Sequence, residues 1–322
     1  MDWKRLQDPF KLAKILWPKE KIYDKQVEIQ QSVFENDKTI CIAGNKLGKD
    51  YIAARTIILF ALTRYPFRIV TTSVDSTQLE AVLWGEIRDA IQKSAVPLTH
   101  DKGGPLLCNH MHIKRVFTSG DKKGQICGLS YILGRVAKKG EGFLGHHIAA
   151  TGDGVPRTLF VVDEASGVDD SSLGKVESWA HRQLYIGNAF ECSNFFFRES
   201  EAGNILDPRN NKRYYTKVIR ITGHDSPNVR YAKEYERTQG KPTNRLLIPG
   251  VLPYYEYTKW LSTWDPIRIS VSIDAQFYKG AELLLFPPTW LNRSHEIDRE
   301  VRQRFKVRQA KAIGVDPGEG EA

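Results

Sequence analysis

Apolar and polar positions change period several times along the chain, and the order of the changes predicts layered β and α elements. Residues 3–17 carry Leu6, Phe10, Leu12, Ile15 and Leu16 at helical spacing, interrupted at Asp8-Pro9 and stopped by Pro18. One or two short helices are expected there, because proline cannot continue a helix. Residues 25–34 read as a helix, and the β-prone run Thr39-Ile-Cys-Ile-Ala43 as a strand running into Gly44. Residues 50–62, rich in Ala, Ile and Leu, are long enough to favour helix over strand. The order repeats, with a strand over 67–72, a loop and N-cap over 73–76 and an amphipathic helix over 78–93. Further strands are expected over 112–118, 125–135, 158–162 and 184–186; that over 158–162 is apolar throughout, as in a strand buried on both faces. This alternation implies a parallel sheet with crossover helices. Beyond Pro227 the sequence turns rich in Tyr, Trp and Pro, with short helices over 228–237 and 254–261, which puts a subdomain boundary near residue 225.

Composition narrows the class. With 41% hydrophobic and 26% charged residues over 322 positions, the chain is globular and long enough for a large α/β domain with a smaller appendage. A net charge of +9 permits polyanionic partners without demonstrating them. Four widely spaced cysteines, no signal peptide and no apolar run of about 18 residues point to a reduced, cytosolic protein rather than a membrane or secreted one.

The strongest chemical signal is Ala43-Gly-Asn-Lys-Leu-Gly-Lys-Asp50, between a strand and a helix, where a phosphate-binding P-loop must lie. Gly44 and Gly48 let the backbone approach β- and γ-phosphates across Asn45, Lys46 and Leu47, and Lys49 supplies charge for phosphoryl transfer. Two positions depart from the usual pattern. Ala43 stands for the first glycine, and Asp50 for the Ser or Thr whose hydroxyl ligates magnesium. A carboxylate can bind Mg2+ but adds negative charge beside phosphate, so Lys46 is expected to offset Asp50. The second signal, Leu159-Phe-Val-Val-Asp163-Glu164-Ala165, ends an apolar strand in two carboxylates at the edge where ligands bind in parallel sheets. Asp163 would hold magnesium through water, and Glu164 would orient and deprotonate the attacking water. Asn188, at the end of Leu184-Tyr-Ile-Gly-Asn188, could face the γ-phosphate or that water. Upstream, Tyr23 could stack on adenine and Gln26 read its edge.

Together these residues resemble the large terminase subunit of tailed bacteriophages, over nearly the whole chain. The resemblance is carried by Tyr23-Asp-Lys-Gln26, the variant P-loop Gly44 to Asp50, Val70-Thr-Thr-Ser73 with its following helix, Val162-Asp-Glu-Ala165, and Gly187-Asn188 as a coupling motif. It implies an α/β P-loop NTPase of the RecA/ASCE type: a parallel sheet flanked by helices, with a small lid and linker. The expected division is an ATPase core over 1–225, a lid and linker over 226–305, and over 306–322 the first strand of a ribonuclease-H-like nuclease. Asp316, in Ala312-Ile-Gly-Val-Asp316-Pro-Gly318, is the implied metal ligand of that nuclease. About six residues follow it, too few for the other carboxylates of a two-metal site, so a truncated chain without nuclease activity is expected. The implied activity is translocation of double-stranded DNA into a procapsid, driven by ATP and Mg2+. The implied partners are a portal protein, a small terminase subunit and further copies of the chain in a ring, in the cytoplasm of a bacterial host. An arginine on the γ-phosphate is also implied. Arg135 is favoured, with Arg157 the other candidate, supplied by a neighbouring subunit.

Two other readings compete. A helicase-like ATPase normally carries a second RecA-like domain, and no second α/β series follows residue 225. A portal or DNA adaptor that binds nucleotide without hydrolysis is kept open by Asp50. The run Cys108-Asn-His110-Met-His112 has zinc-ligand residue types without a zinc spacing and reads as a β-hairpin with His110 and His112 on one face. Residues 209–220 and 302–311 are basic clusters suited to either phosphate-backbone contact or solvent.

Overall fold

A computed structural model describes residues 8–136, 143, 145–149, 152–190, 193–277 and 297. The chain divides into one compact unit over Met1–Phe277 and a second over Tyr278–Ala322, and the fold below is that of the first. In chain order its elements are α1 (Pro9–Leu16), α2 (Asp24–Glu35), β1 (Lys38–Ala43), α3 (Lys49–Thr63), β2 (Arg68–Thr72), α4 (Ser76–Ala81) and α5 (Leu83–Gln92). There follow β3 (Leu106–Asn109), β4 (His112–Val116), β5 (Ile126–Gly134), β6 (Thr158–Val162) and β7 (Arg182–Gly187). The unit closes with α6 (Phe195–Ala202), β8 (Ile205–Asp207), β9 (Asn210–Ile221), α7 (Pro227–Gln239), α8 (Tyr254–Thr263) and α9 (Pro266–Ser272).

The nine strands form one sheet in the order β3-β4-β5-β2-β6-β7-β1-β9-β8. From β5 through β9 every pairing is parallel. The outer pairings β3–β4, β4–β5 and β8–β9 are antiparallel, so the sheet is mixed where a parallel one was expected. The central strands alternate between two apolar layers. Cys41, Ala43, Ile69, Leu159, Val161, Leu184 and Ile186 face one layer, built around α3. Ile40, Ile42, Val70, Phe160, Val162 and Tyr185 face the other, with Phe195 and Phe196 of α6. Burial on both faces explains why β6 and β7 read as continuous apolar runs. Helix α3 is buried on nearly every side, which suits its Ala-, Ile- and Leu-rich composition.

Three local differences from the expected elements have physical reasons. The helix expected over 78–93 is broken at Val82, whose ψ of −81° lies outside the helical range, giving α4 and α5. His110 lies in the turn between β3 and β4 and pairs with Glu80 at 2.9 Å, so it shares no strand face with His112. The basic stretch 209–220 is not a surface cluster alone but most of β9, whose second half pairs in register with β1 from Lys38↔Thr216 to Ala43↔Ile221.

Beyond residue 225 the chain stays in the same compact unit. Val229, Val251, Leu252, Tyr257 and Ile273 are buried in the core layer that contains α3. The expected nuclease-type strand with Asp316 lies outside the described residues.

Candidate functional site

The carboxyl ends of β1, β2, β6, β7 and β9 converge on one edge of the sheet. Because β7 separates β1 from β6, the loop after β1 and the carboxylates after β6 stand about two strand spacings, roughly 10 Å, apart at the backbone. Long side chains close that gap. Lys49, the first residue of α3, places Nζ 2.9 Å from Glu164 Oε1, 3.1 Å from Asp50 Oδ1 and 3.9 Å from Asp163 Oδ1. The sequence-predicted cation and all three predicted carboxylates are therefore one cluster.

Its electrostatics follow from burial. Asp163 is fully buried, and its Oδ2 has no hydrogen-bond partner among the described residues. Oδ1 accepts from the Glu164 backbone N–H at 2.8 Å. Burial, reinforced by the Asp50 charge, raises the Asp163 carboxyl well above the ordinary carboxylate range. Burial also opposes the Lys49 charge, but Asp50, Asp163 and Glu164 more than offset it and hold the ammonium above its usual value. Glu164 has φ 48° and ψ 49°, a left-handed conformation uncommon for a non-glycine residue. Backbone strain of this kind costs about 1–3 kcal/mol and clusters at functional sites.

The loop is anchored by β9, α9 and the residue that follows β7. The Gly44 N–H donates to Ile221 O of β9 at 2.8 Å, and the Asn45 N–H to Ser272 O of α9 at 2.7 Å. Only glycine fits at 44, since a Cβ there would lie 2.7 Å from the Ser272 carbonyl oxygen. Asn188 Nδ2 donates to Ala43 O at 2.9 Å and to Asn45 Oδ1 at 2.8 Å, joining the end of β7 to the start of the loop. Both bonds run to the loop, so Asn188 positions it.

Tyr23 departs from expectation, whereas Gln26 lines the cleft beside the loop. Tyr23 is buried and donates its hydroxyl to Leu47 O at 2.8 Å, and Gln26 donates Nε2 to Gly48 O at 3.3 Å. Gln26 Oε1 accepts from the Tyr23 N–H at 3.4 Å. These side chains brace the loop carbonyls from beneath, and the Tyr23 ring is packed in the core rather than presented to a base. Gly48, at φ 72°, has Gln26 against it so closely that a Cβ would approach Nε2 to 2.5 Å.

Lys46 does not offset Asp50. It is half exposed and pairs with Glu256 of α8 at 2.6 Å, while its carbonyl accepts from Leu252 N–H at 2.8 Å. Asp50 is instead compensated by Lys49. Glu256 was not legible as a site residue, because 210 positions separate it from Lys46 and no local pattern marks it. A cleft of about 980 Å3 opens beside the loop, lined among others by Lys46, Gly48, Asp50, Tyr51, Ile248 and Pro249.

Of the two arginines, Arg135 follows β5 on the same carboxyl edge, its N–H donating to Thr71 O of β2 at 2.9 Å. Arg157 precedes β6 at the opposite edge and pairs with Asp153 at 2.5 Å.

No protein-family model matches the sequence, and no curated protein does. Solved structures match the fold. An arginine-to-alanine variant of the Thermus phage P74-26 large terminase ATPase domain superposes with a TM-score of 0.52 at 14% identity, covering 83% of this chain and 98% of that domain. The same domain in a second structure gives 0.50 at 12% identity, with the same coverage of 83% and 98%. At such identities the likeness is one of fold: the chain has the architecture of a phage large-terminase ATPase domain.

Proposed function

We propose that the chain, built on a terminase ATPase fold, is a magnesium-dependent ATPase that drives double-stranded DNA into a procapsid. The observation that carries this reading is the cluster of Lys49 with Asp163 and Glu164 at the carboxyl edge, beside a glycine-bearing loop that opens a helix. A helix N-terminus with unpaired N–H groups suits phosphate, and α3 directs its first turn there. Lys49 then neutralises charge on the β- and γ-phosphates, and the neighbouring cleft takes base and sugar against Ile248 and Pro249.

The residues fit a hard divalent cation. The buried Asp163 Oδ2 has no hydrogen-bond partner among the described residues, and Asp50 lies on the same ammonium, so two carboxylates can supply the oxygen ligands that Mg2+ prefers. When bound, Mg2+ supplies charge neutralisation at the phosphate oxygens. Glu164 is the general base. In the structure it is held by Lys49, and phosphates drawing on that ammonium release its carboxylate to accept a proton from water. Asn188 keeps the loop and β7 in register as the phosphates change.

Double-stranded DNA, a portal, a small terminase subunit and a homo-oligomeric ring in the cytoplasm of a bacterial host belong to the same reading, supported by the likeness of fold and the motif order. In that ring Arg135, on the nucleotide edge, is the better placed arginine for a neighbour's γ-phosphate. No helix among the described residues is long and apolar enough to cross a membrane.

The test is steady-state phosphate release with and without magnesium and duplex DNA, for the chain and for Glu164→Ala. A base contributes roughly 10²–10⁴-fold, so the variant should lose at least about 100-fold while still binding ATP. ATP binding without magnesium-dependent turnover in the parent chain would overturn the motor and favour a non-hydrolysing adaptor.

A further inference from the structure

A second cleft, of about 720 Å3, lies at the amino edge of the sheet, the end opposite the nucleotide site. Strand β1 has six residues, so the two edges are separated by about 17–20 Å. The cleft is lined by the starts of β1 and β7, the segment before β6 and the middle of β9, including Asp37, Lys38, Arg157, Arg182, Arg213 and Tyr215. Four cations, Lys38, Arg157, Arg182 and Arg213, meet four carboxylates there, but the carboxylates are unevenly shared. Lys38 is held by two carboxylates, Glu177 at 3.1 Å and Glu199 at 2.9 Å, and Arg157 by Asp153 at 2.5 Å. Arg182 and Arg213, by contrast, converge on a single oxygen, Asp37 Oδ1, with Arg182 Nη1 at 2.6 Å and Arg213 Nη2 in close contact.

One carboxylate cannot neutralise two guanidinium groups, and Arg182 is 94% buried, with 6% of its surface exposed. Arg182 also donates Nη1 to His181 O at 3.2 Å and Nη2 to Phe34 O at 3.4 Å, while its buried Nε and that of Arg213 have no hydrogen-bond partner among the described residues. Burial, together with the nearby charges of Arg213 and Arg64, lowers the Arg182 guanidinium to about 10 against the pull of Asp37, so it remains cationic at neutral pH. A buried cation with unmet donors is costly unless an anion completes it. Planar guanidinium forks match the oxygens of a phosphate group.

We propose that the amino-edge cleft is a phosphate-binding site in which Arg213 and Arg182 hold the anion. The phosphate belongs either to a free phosphorylated compound or to a nucleic-acid backbone, and the chemistry of recognition is shared. The site is independent of the nucleotide reading, because none of its residues reaches the P-loop.

Calorimetric titration with inorganic phosphate at constant ionic strength tests it. The P-loop can itself take phosphate, so the titration is made on Lys49→Ala and on Lys49→Ala combined with Arg213→Gln. Binding should survive Lys49→Ala and weaken at least tenfold when Arg213→Gln is added. Arg213 is partly exposed, so its replacement keeps the fold where loss of the buried Arg182 endangers it. Duplex DNA retention by Arg213→Gln alone distinguishes the sources: weakened retention identifies the backbone, and unchanged retention a free compound. Phosphate binding abolished by Lys49→Ala alone, or unmoved by Arg213→Gln, overturns the proposal.

Discussion

Tyr23→Phe separates two roles for one aromatic residue. If the ring served a base, the substitution would be silent, since Phe keeps the stacking face. The structure predicts otherwise, because the hydroxyl donates to Leu47 O at 2.8 Å within the core. Burial holds the phenol well above its ordinary value, so it is a donor throughout the neutral range. Removing it deletes one hydrogen bond and leaves a buried carbonyl of the P-loop without its donor. A net bond contributes about 0.5–1.5 kcal/mol and an orphaned buried acceptor costs about 1–3 kcal/mol, so a loss of about 1–2 kcal/mol is expected. For a unit of this size that lowers Tm by about 2–4 °C. Bound phosphate reorders the loop and takes up part of the loss, so ATP binding weakens by no more than about tenfold. Thermal denaturation and equilibrium nucleotide titration, run side by side, measure both. A Tm and an ATP Kd both equal to those of the parent would refute the brace.

Three further outcomes follow from the same cluster. Asp163 has its folded pKa raised above its unfolded value, so stability present at acid pH is lost as pH rises through the folded pKa. Asp163→Asn should therefore raise the Tm of the nucleotide-free chain at pH 8, with the gain shrinking as pH falls toward the ordinary carboxylate value, while hydrolysis is lost; a lower Tm at pH 8 contradicts this. Asn188→Asp should destabilise more than Asn188→Ala in urea, because it sets a carboxylate against Ala43 O and Asn45 Oδ1 where an amide now donates. Lys46→Ala and Glu256→Ala, being partly exposed, should each cost under about 1 kcal/mol and be non-additive in a double-mutant cycle.

The elements of the central sheet were legible because their signals are local. An apolar run such as Leu159 to Val162 must be buried on both faces, and a glycine-bearing loop between strand and helix must present its backbone. Strand β9 escaped that reading: its first half is polar and mostly exposed or half-buried, and pairing with β8 and β1 makes a strand of it. The residue types of the site, Lys49, Asp163 and Glu164, were likewise readable, since strand ends in a parallel sheet are where ligands bind.

What the chain by itself determined is therefore the layered α/β class and the identity of the Lys49, Asp163 and Glu164 cluster, both consequences of periodicity and of side-chain chemistry at fixed offsets. Tertiary structure alone decided the roles of the supporting residues. Tyr23, Gln26 and Asn188 bind loop atoms, Lys46 turns to Glu256, and two arginines meet on Asp37. The physical reason is that a hydrogen bond or ion pair is set by which groups folding brings within about 3 Å. That distance is independent of separation along the sequence, so no local pattern carries it.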